Sequence, residues 1–235
     1  MGTFVLVHGA WHGGWCYARV RAELQQQGHS VFTPTLTGVG ERSHLMSRSV
    51  NLSTHLEDVV NVLKWEELND VVLVGHSYGG FVISGVAERL PERVHHLVYV
   101  DAFLPNGGER LLDLLPQPFI DMFYEGVKKA GEGYKVPPIP AAVFNVNAAD
   151  RALVDGKCTL HPLAAFEERM AIKGKPGNCR PATYILATNW EGTPFSPMKE
   201  RARSLGWRTI EMACGHDIML DQPTELTAEL IRLSI

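Results

Sequence analysis

Six short runs rich in branched and aromatic residues recur along the chain: Phe4–Val7, Ser30–Thr33, Val71–Val74, Val94–Val100, Thr183–Ala187 and Arg208–Met212. Most are almost continuously apolar, which suits strands buried on both faces rather than strands with one wet side. The intervening segments have a helical period. From Trp15 to Gln27, Val20 and Leu24 share one face, and Gly28 follows as a stop. Thr54 and Glu57 have capping-box spacing ahead of Leu56, Val59, Val60 and Leu63, which lie on one helical stripe. Asp221 and Pro223 open a last helix that runs nearly to Ile235. Strands alternating with helices predict an α/β fold: a mostly parallel sheet of about six strands with helices on both faces.

At 235 residues and 45% hydrophobic content, the chain suits one core and is short for two ordinary domains, so residues 1–235 are expected to form a single domain. The formal net charge of -4, with no cluster of Lys or Arg, argues against a nucleic-acid partner. No apolar stretch approaches the ~20 residues needed to span a bilayer, so no membrane partner is expected. Met1–Val7 has no basic leader and runs straight into a strand. Cys16, Cys158, Cys179 and Cys214 are scattered without a CxxC pair, which reads as reduced thiols in a cytoplasmic protein.

One segment breaks the alternation. From about 105 to 181 the chain is rich in Pro and Gly and carries Phe119, Phe123, Tyr124, Tyr134, Phe144 and Phe166. A structureless loop of that length is improbable inside a compact domain. The expectation is an inserted helical cap, held over the sheet by its aromatic side chains.

The stretch Gly75-His76-Ser77-Tyr78-Gly79 fits G-x-S-x-G, with a strand before it and a helix after it. In that setting the serine occupies a strained strand-to-helix turn at the positive end of the following helix. Ser77 is therefore the candidate nucleophile. A serine hydroxyl needs a base, and ten histidines compete for that role. His216, in Cys214-Gly215-His216-Asp217, follows the last strand and precedes the last helix, which would put it on the same edge of the sheet. His8 and His76 stand in Gly-flanked turns, where packing is the expected role. His8 and His12 lack a third ligand at suitable spacing, so no metal is expected. The first strand ends at His8-Gly9-Ala10-Trp11, and the backbone N–H groups of Ala10 and Tyr78 are the expected donors to an oxyanion.

VLVHGAWHGGW, PTLTGVGERSHL, VVLVGHSYGG and the late GHD resemble α/β-hydrolases of a small esterase branch. That branch includes plant methyl-ester hydrolases, hydroxynitrile lyases and bacterial esterases of similar length. The resemblance is strong from Thr3 to Leu104 and weaker through the cap. It implies the α/β-hydrolase fold, a cofactor-free hydrolase and a small-molecule ester substrate. Its members are commonly dimeric, which leaves a homodimer open.

The chain departs from the plant pattern at the triad acid, whose place falls on Trp190, with Glu191 one residue later. Asp101 ends the strand after the nucleophile unit, where other α/β-hydrolases carry the acid. An Asp finishing an apolar strand is costly to bury without a partner. Asp101 is the preferred acid; Glu191, Asp217 and a water-supported dyad stay open, and Asp101 could instead cap the Phe103–Asn106 turn. The related lyases carry Thr at the place of Gly9 and Lys directly after the histidine, where this chain has Asp217. Without that cation, hydrolysis is the expected reaction: acyl transfer from a small carboxylic ester to Ser77 and then to water. Trp11, Phe103, Phe119 and Phe123 are expected in the substrate pocket. Cleavage of an amide, lactone or carbon–carbon bond on the same triad, or ligand sensing without turnover, are the rival readings.

Overall fold

The computed structural model describes residues 1–177, 180–190 and 193–234. Its strands in chain order are β1 (Thr3–Val7), β2 (Ser30–Phe32), β3 (Val71–His76), β4 (Val94–Val100), β5 (Lys135–Val136), β6 (His161–Pro162), β7 (Ala182–Ala187) and β8 (Arg208–Met212). Six of them form a wholly parallel sheet in the order β2-β1-β3-β4-β7-β8, while β5 and β6 pair antiparallel on their own. The central strands β3 and β7 are buried along their whole length, as their unbroken apolar runs require.

The helices are α1 (Ala18–Gln26), α2 (Leu52–Trp65), α3 (Gly79–Arg89), α4 (Gln117–Ala130), α5 (Arg151–Lys157), α6 (Leu163–Glu167), α7 (Ser196–Ser204), α8 (Ile218–Asp221) and α9 (Pro223–Arg232). From β1 the chain steps outward to β2, then returns past β1 to β3 and β4. Right-handed crossovers in opposite directions place the connecting helices on opposite faces. Accordingly α1 packs on α9, and α2 on α3. No helix among the described residues is long and apolar enough to cross a membrane.

One local expectation needs correction. Helix α2 starts before Thr54, with Asn51 as its N-cap: the Asn51 side chain accepts from the Thr54 N–H at 3.0 Å, and Thr54 Oγ1 accepts from the Asn51 N–H at 3.4 Å. The earlier start brings buried Leu52 into the helix, which a start after Thr54 would leave outside. Glu57 faces outward and pairs with Arg89 of α3. The last helix, α9, begins at Pro223 as expected, and the short helix α8 precedes it, stopping at Asp221.

The segment between β4 and β7 contains α4, α5 and α6 together with the β5–β6 ladder. Phe123, Phe144 and Phe166 turn inward and are buried, whereas Tyr124 bonds Glu167 and Tyr134 lies under the Arg48 guanidinium. The ladder was not anticipated, because two residues per strand leave no periodic signal.

The Asn51 cap satisfies a helix-end N–H that would otherwise have no partner. Asn51→Ala should lower unfolding stability by about 1 kcal/mol, within the usual range for such caps. A shift of the urea midpoint at constant m-value measures it.

Candidate active site

Register brings the site together. Val7 of β1 is level with Gly75 of β3, His76 with Val100 of β4, and Val100 with Ile185 of β7. The residues that follow these strands therefore emerge on one edge of the sheet. The β1/β3 boundary is also where the strand order reverses, which opens a crevice between the loops after β1 and β3.

Ser77 occupies that crevice with φ at 52°, a left-handed conformation that costs a non-glycine residue on the order of 1–3 kcal/mol. Neighbouring contacts hold it there: its N–H donates to Val100 O at 3.3 Å, and its carbonyl accepts from Gly80 and Phe103 N–H, each at 3.1 Å. The glycines around it permit close approach of backbones. A Cβ on Gly80 would lie 2.0 Å from Phe103 O, and one on Gly75 would lie 2.6 Å from Gly79 O.

His216 follows β8, and its Nδ1 donates to Asp101 Oδ2 at 2.7 Å. Asp101 is fully buried, with φ at 41°, and its second oxygen accepts from the Ala187 N–H at 3.0 Å. Asp101 therefore faces the imidazole instead of capping the Phe103–Asn106 turn. The alternative acid Glu191 lies outside the described residues. Trp190, at the plant acid's place, packs its ring 5.1 Å from that of His216. Phe195 stacks on the same imidazole at 4.9 Å, and Phe144 lies 5.2 Å away.

This apolar enclosure sets the electrostatics. Burial pushes the His216 imidazole down to about 4, against an opposing effect of the Asp217 carboxylate. Burial also raises the Asp101 carboxyl, partly offset by the Ala187 N–H. At neutral pH the imidazole is therefore uncharged. With its Nδ1–H directed at Asp101, its Nε2 keeps a lone pair.

Ala10, Trp11, Ser77, Tyr78 and His216 line one cavity. Its remaining wall is apolar, and Phe103, Phe119 and Phe123 all line it. Phe144, Phe166, Trp190 and Phe195 line it too, though the sequence analysis did not single them out as pocket residues. They come from three separate segments, so no single spacing in the sequence announces them. Among the described residues, the N–H groups of Ala10 and Tyr78 have no hydrogen-bond partner, whereas the Trp11 N–H is taken by His161 Nδ1 at 3.3 Å.

The other histidines near the site have structural partners. His8 bonds Gly9 O at 2.7 Å and accepts from the Leu36 N–H at 3.0 Å. His12 donates to Ala10 O at 2.8 Å and to Asp217 Oδ2 at 3.1 Å. Against the desolvation of burial, the Asp217 charge holds His12 well above its ordinary value, and His12 holds Asp217 below its own. His76 Nε2 donates to His216 O at 3.1 Å. His76, His216 and Asp217 bring ligand-type atoms within 4.8 Å of one another, but His216 Nδ1 and Asp217 Oδ2 are committed to Asp101 and His12. His76 Nδ1 and Asp217 Oδ1 are buried and have no hydrogen-bond partner among the described residues.

A direct check is an NMR titration of His216. Its midpoint should fall near 4, well below the ordinary 6.5, because protonation must occur in an apolar enclosure. A midpoint at or above 6.5 would contradict the burial described here.

Comparison with known proteins completes the picture. Residues 4–230 match the model described as the alpha/beta hydrolase family. A carbendazim hydrolyzing esterase from Nocardioides sp. (strain SG-4G) is 44% identical, covering 99% of this chain and 100% of its own. Methylesterase 7 of Arabidopsis thaliana is 28% identical over 92% of this chain and 78% of its own. Among solved structures, an extracellular alpha/beta-hydrolase from a Paenibacillus species superposes with a TM-score of 0.86 at 26% identity, covering 100% of this chain and 99% of the other.

Proposed function

The chain belongs to the alpha/beta hydrolase family, and on that footing we propose that it is a serine esterase acting on small, uncharged carboxylic esters. The observation that carries this reading is the 2.7 Å contact between Asp101 and His216 in a cavity shared with Ser77. Ser77 Oγ attacks the ester carbonyl while His216 Nε2 takes its proton. The tetrahedral oxyanion accepts hydrogen bonds from the Ala10 and Tyr78 N–H groups. Collapse breaks the bond to the alcohol oxygen, which leaves with the proton from His216. Water then attacks the acyl-serine with the same imidazole as base and releases the acid. Asp101 keeps Nδ1 protonated, so that Nε2 is the basic nitrogen.

Two features favour hydrolysis over a lyase reaction. The residue after His216 is Asp217, an anion already paired with His12, so no cation stands there to stabilise a departing anion. A Cβ at Gly9 would lie 2.8 Å from both His76 Nδ1 and Ser77 Cβ, so the lyases' threonine does not fit without a shift.

The cavity wall indicates the kind of substrate. Beyond Ser77 and His216 it presents aromatic and aliphatic side chains, and the Tyr78 hydroxyl is committed to His55 Nδ1 at 2.8 Å. Flat, uncharged acyl groups would pack against these rings, and a charged one would be buried without a partner. Carbendazim, the compound in the Nocardioides relative's name, is the first candidate to test.

Ser77→Ala should reduce turnover by at least ~10³-fold, with the fold retained. An organophosphonate should label Ser77 stoichiometrically; labelling elsewhere overturns the assignment. Asp101→Asn should cost up to ~10⁴-fold in kcat by allowing the wrong imidazole tautomer, and Glu191→Gln less than about tenfold. The opposite ranking would move the acid to Glu191. Negligible turnover of every ester by a protein that is labelled at Ser77 would favour a ligand sensor.

Substrate charge gives an independent test. Adding a carboxylate to the acyl group of an aromatic methyl ester should lower kcat/KM by at least about 100-fold, because burying an unpaired charge costs several kcal/mol. Equal rates for the two esters would show that the acyl group does not enter the apolar cavity.

A further inference from the structure

Three polar groups of Trp11 bond to the segment between β4 and β7. Its backbone N–H donates to His161 Nδ1 at 3.3 Å, its indole Nε1–H donates to Val136 O at 3.0 Å, and its carbonyl accepts from the Thr159 N–H at 2.9 Å. Val136 and His161 are cross-strand partners in the β5–β6 ladder, so Trp11 grips both strands of that ladder. Trp11 itself has φ at 65°, a conformation a bulky side chain rarely adopts unless neighbours impose it.

His161 also reaches the other side of the crevice. Its ring lies edge-on to that of Tyr78 at 4.9 Å and stacks on Phe166 at 4.7 Å. Tyr78 is held at its far end, where its hydroxyl donates to His55 Nδ1 and His55 Nε2 donates to Thr37 O at 2.9 Å. His161 is fully buried, and burial keeps its imidazole well below the ordinary value, so the ring is neutral and Nδ1 is free to accept.

We infer that His161 is a positioning residue for the oxyanion hole, setting the Ala10–Trp11 backbone on one side and the Tyr78 ring on the other. The inference rests on the esterase reading above. One side chain from the β4–β7 segment thereby spaces the two proposed anion donors, Ala10 N–H and Tyr78 N–H. The reaction gains only if both donors sit where the oxyanion forms. A displacement of about 1 Å can cost on the order of 100-fold in rate. Seating of the β5–β6 ladder and stabilisation of the tetrahedral intermediate are thus mechanically linked.

The test compares His161→Phe with His161→Asn in the full-length protein, using p-nitrophenyl acetate. Phenylalanine keeps the stacking on Phe166 and Tyr78 but leaves the buried Trp11 N–H without an acceptor. Asparagine places an amide oxygen near the position of Nδ1. His161→Phe should lose about 10- to 100-fold in kcat with KM changed less than about threefold, and phosphonylation of Ser77 should slow in parallel. His161→Asn should recover most of the loss, which a packing role alone would not produce. Trp11→Phe, which removes only the bond to Val136 O, should lower kcat by a smaller factor and covers the case in which His161→Phe does not fold. A folded His161→Phe with wild-type kcat overturns the proposal. So does a loss confined to KM, an asparagine variant no better than the phenylalanine variant, or a folded Trp11→Phe with unchanged kcat. Failure of the wild-type protein to be labelled at Ser77 would instead strike at the esterase reading itself.

Discussion

Three residues at the carboxyl edge of the sheet hold a backbone conformation that side chains other than glycine rarely adopt: Trp11, Ser77 and Asp101, with φ at 65°, 52° and 41°. Each follows a different strand, and each is kept there by hydrogen bonds from elsewhere in the chain. Ser77 is tied to Val100, Gly80 and Phe103, Asp101 to Ile185 and Ala187, and Trp11 to the β5–β6 ladder. Left-handed conformations at non-glycine positions persist only where the surroundings over-determine them. The surroundings here are a parallel sheet with aligned strand ends, and glycines that let α3 and the turn after β4 approach without collision.

The same packing shapes the chemistry. The loop carrying His216 is anchored through its own N–H to Phe144 O at 3.0 Å, and Gly215 and Asn147 both bond the Asp221 carboxylate. The segment between β4 and β7 is thereby joined both to the loop bearing the proposed base and to the loop bearing a proposed oxyanion donor. It also supplies much of the aromatic wall that excludes water. Dry surroundings hold the imidazole neutral and strengthen every hydrogen bond directed at a developing charge. A buried ion pair, His12 with Asp217, sits behind this wall and links the two loops without entering the cavity.

Much of this was legible in one dimension. All six strands of the parallel sheet were read within a residue or two of their observed limits, and the central ones are apolar because a strand buried on both faces must be so throughout. Ser77 was legible because its turn needs small neighbours at fixed offsets, and His216 because it follows the last strand. The N-cap of α2 was misjudged: Asn51 and Thr54 both make good caps, and the burial of Leu52 separates them.

The acid partner, the pocket wall and the part played by His161 were different. Asp101, Glu191 and Asp217 are all carboxylates near predicted strand ends, and local pattern does not say which one meets the imidazole. That is a contact across 115 residues of chain, made only when β4 and the loop after β8 are brought together. Phe144, Phe166, Trp190 and Phe195 converge from distant segments whose composition marks them as buried without saying against what. Local sequence thus determined the periods, the turns and the candidate nucleophile, which depend on neighbours along the chain. Tertiary structure decided which carboxylate meets the imidazole and which rings line the cavity, because those choices depend on distances that exist only once the chain has closed upon itself.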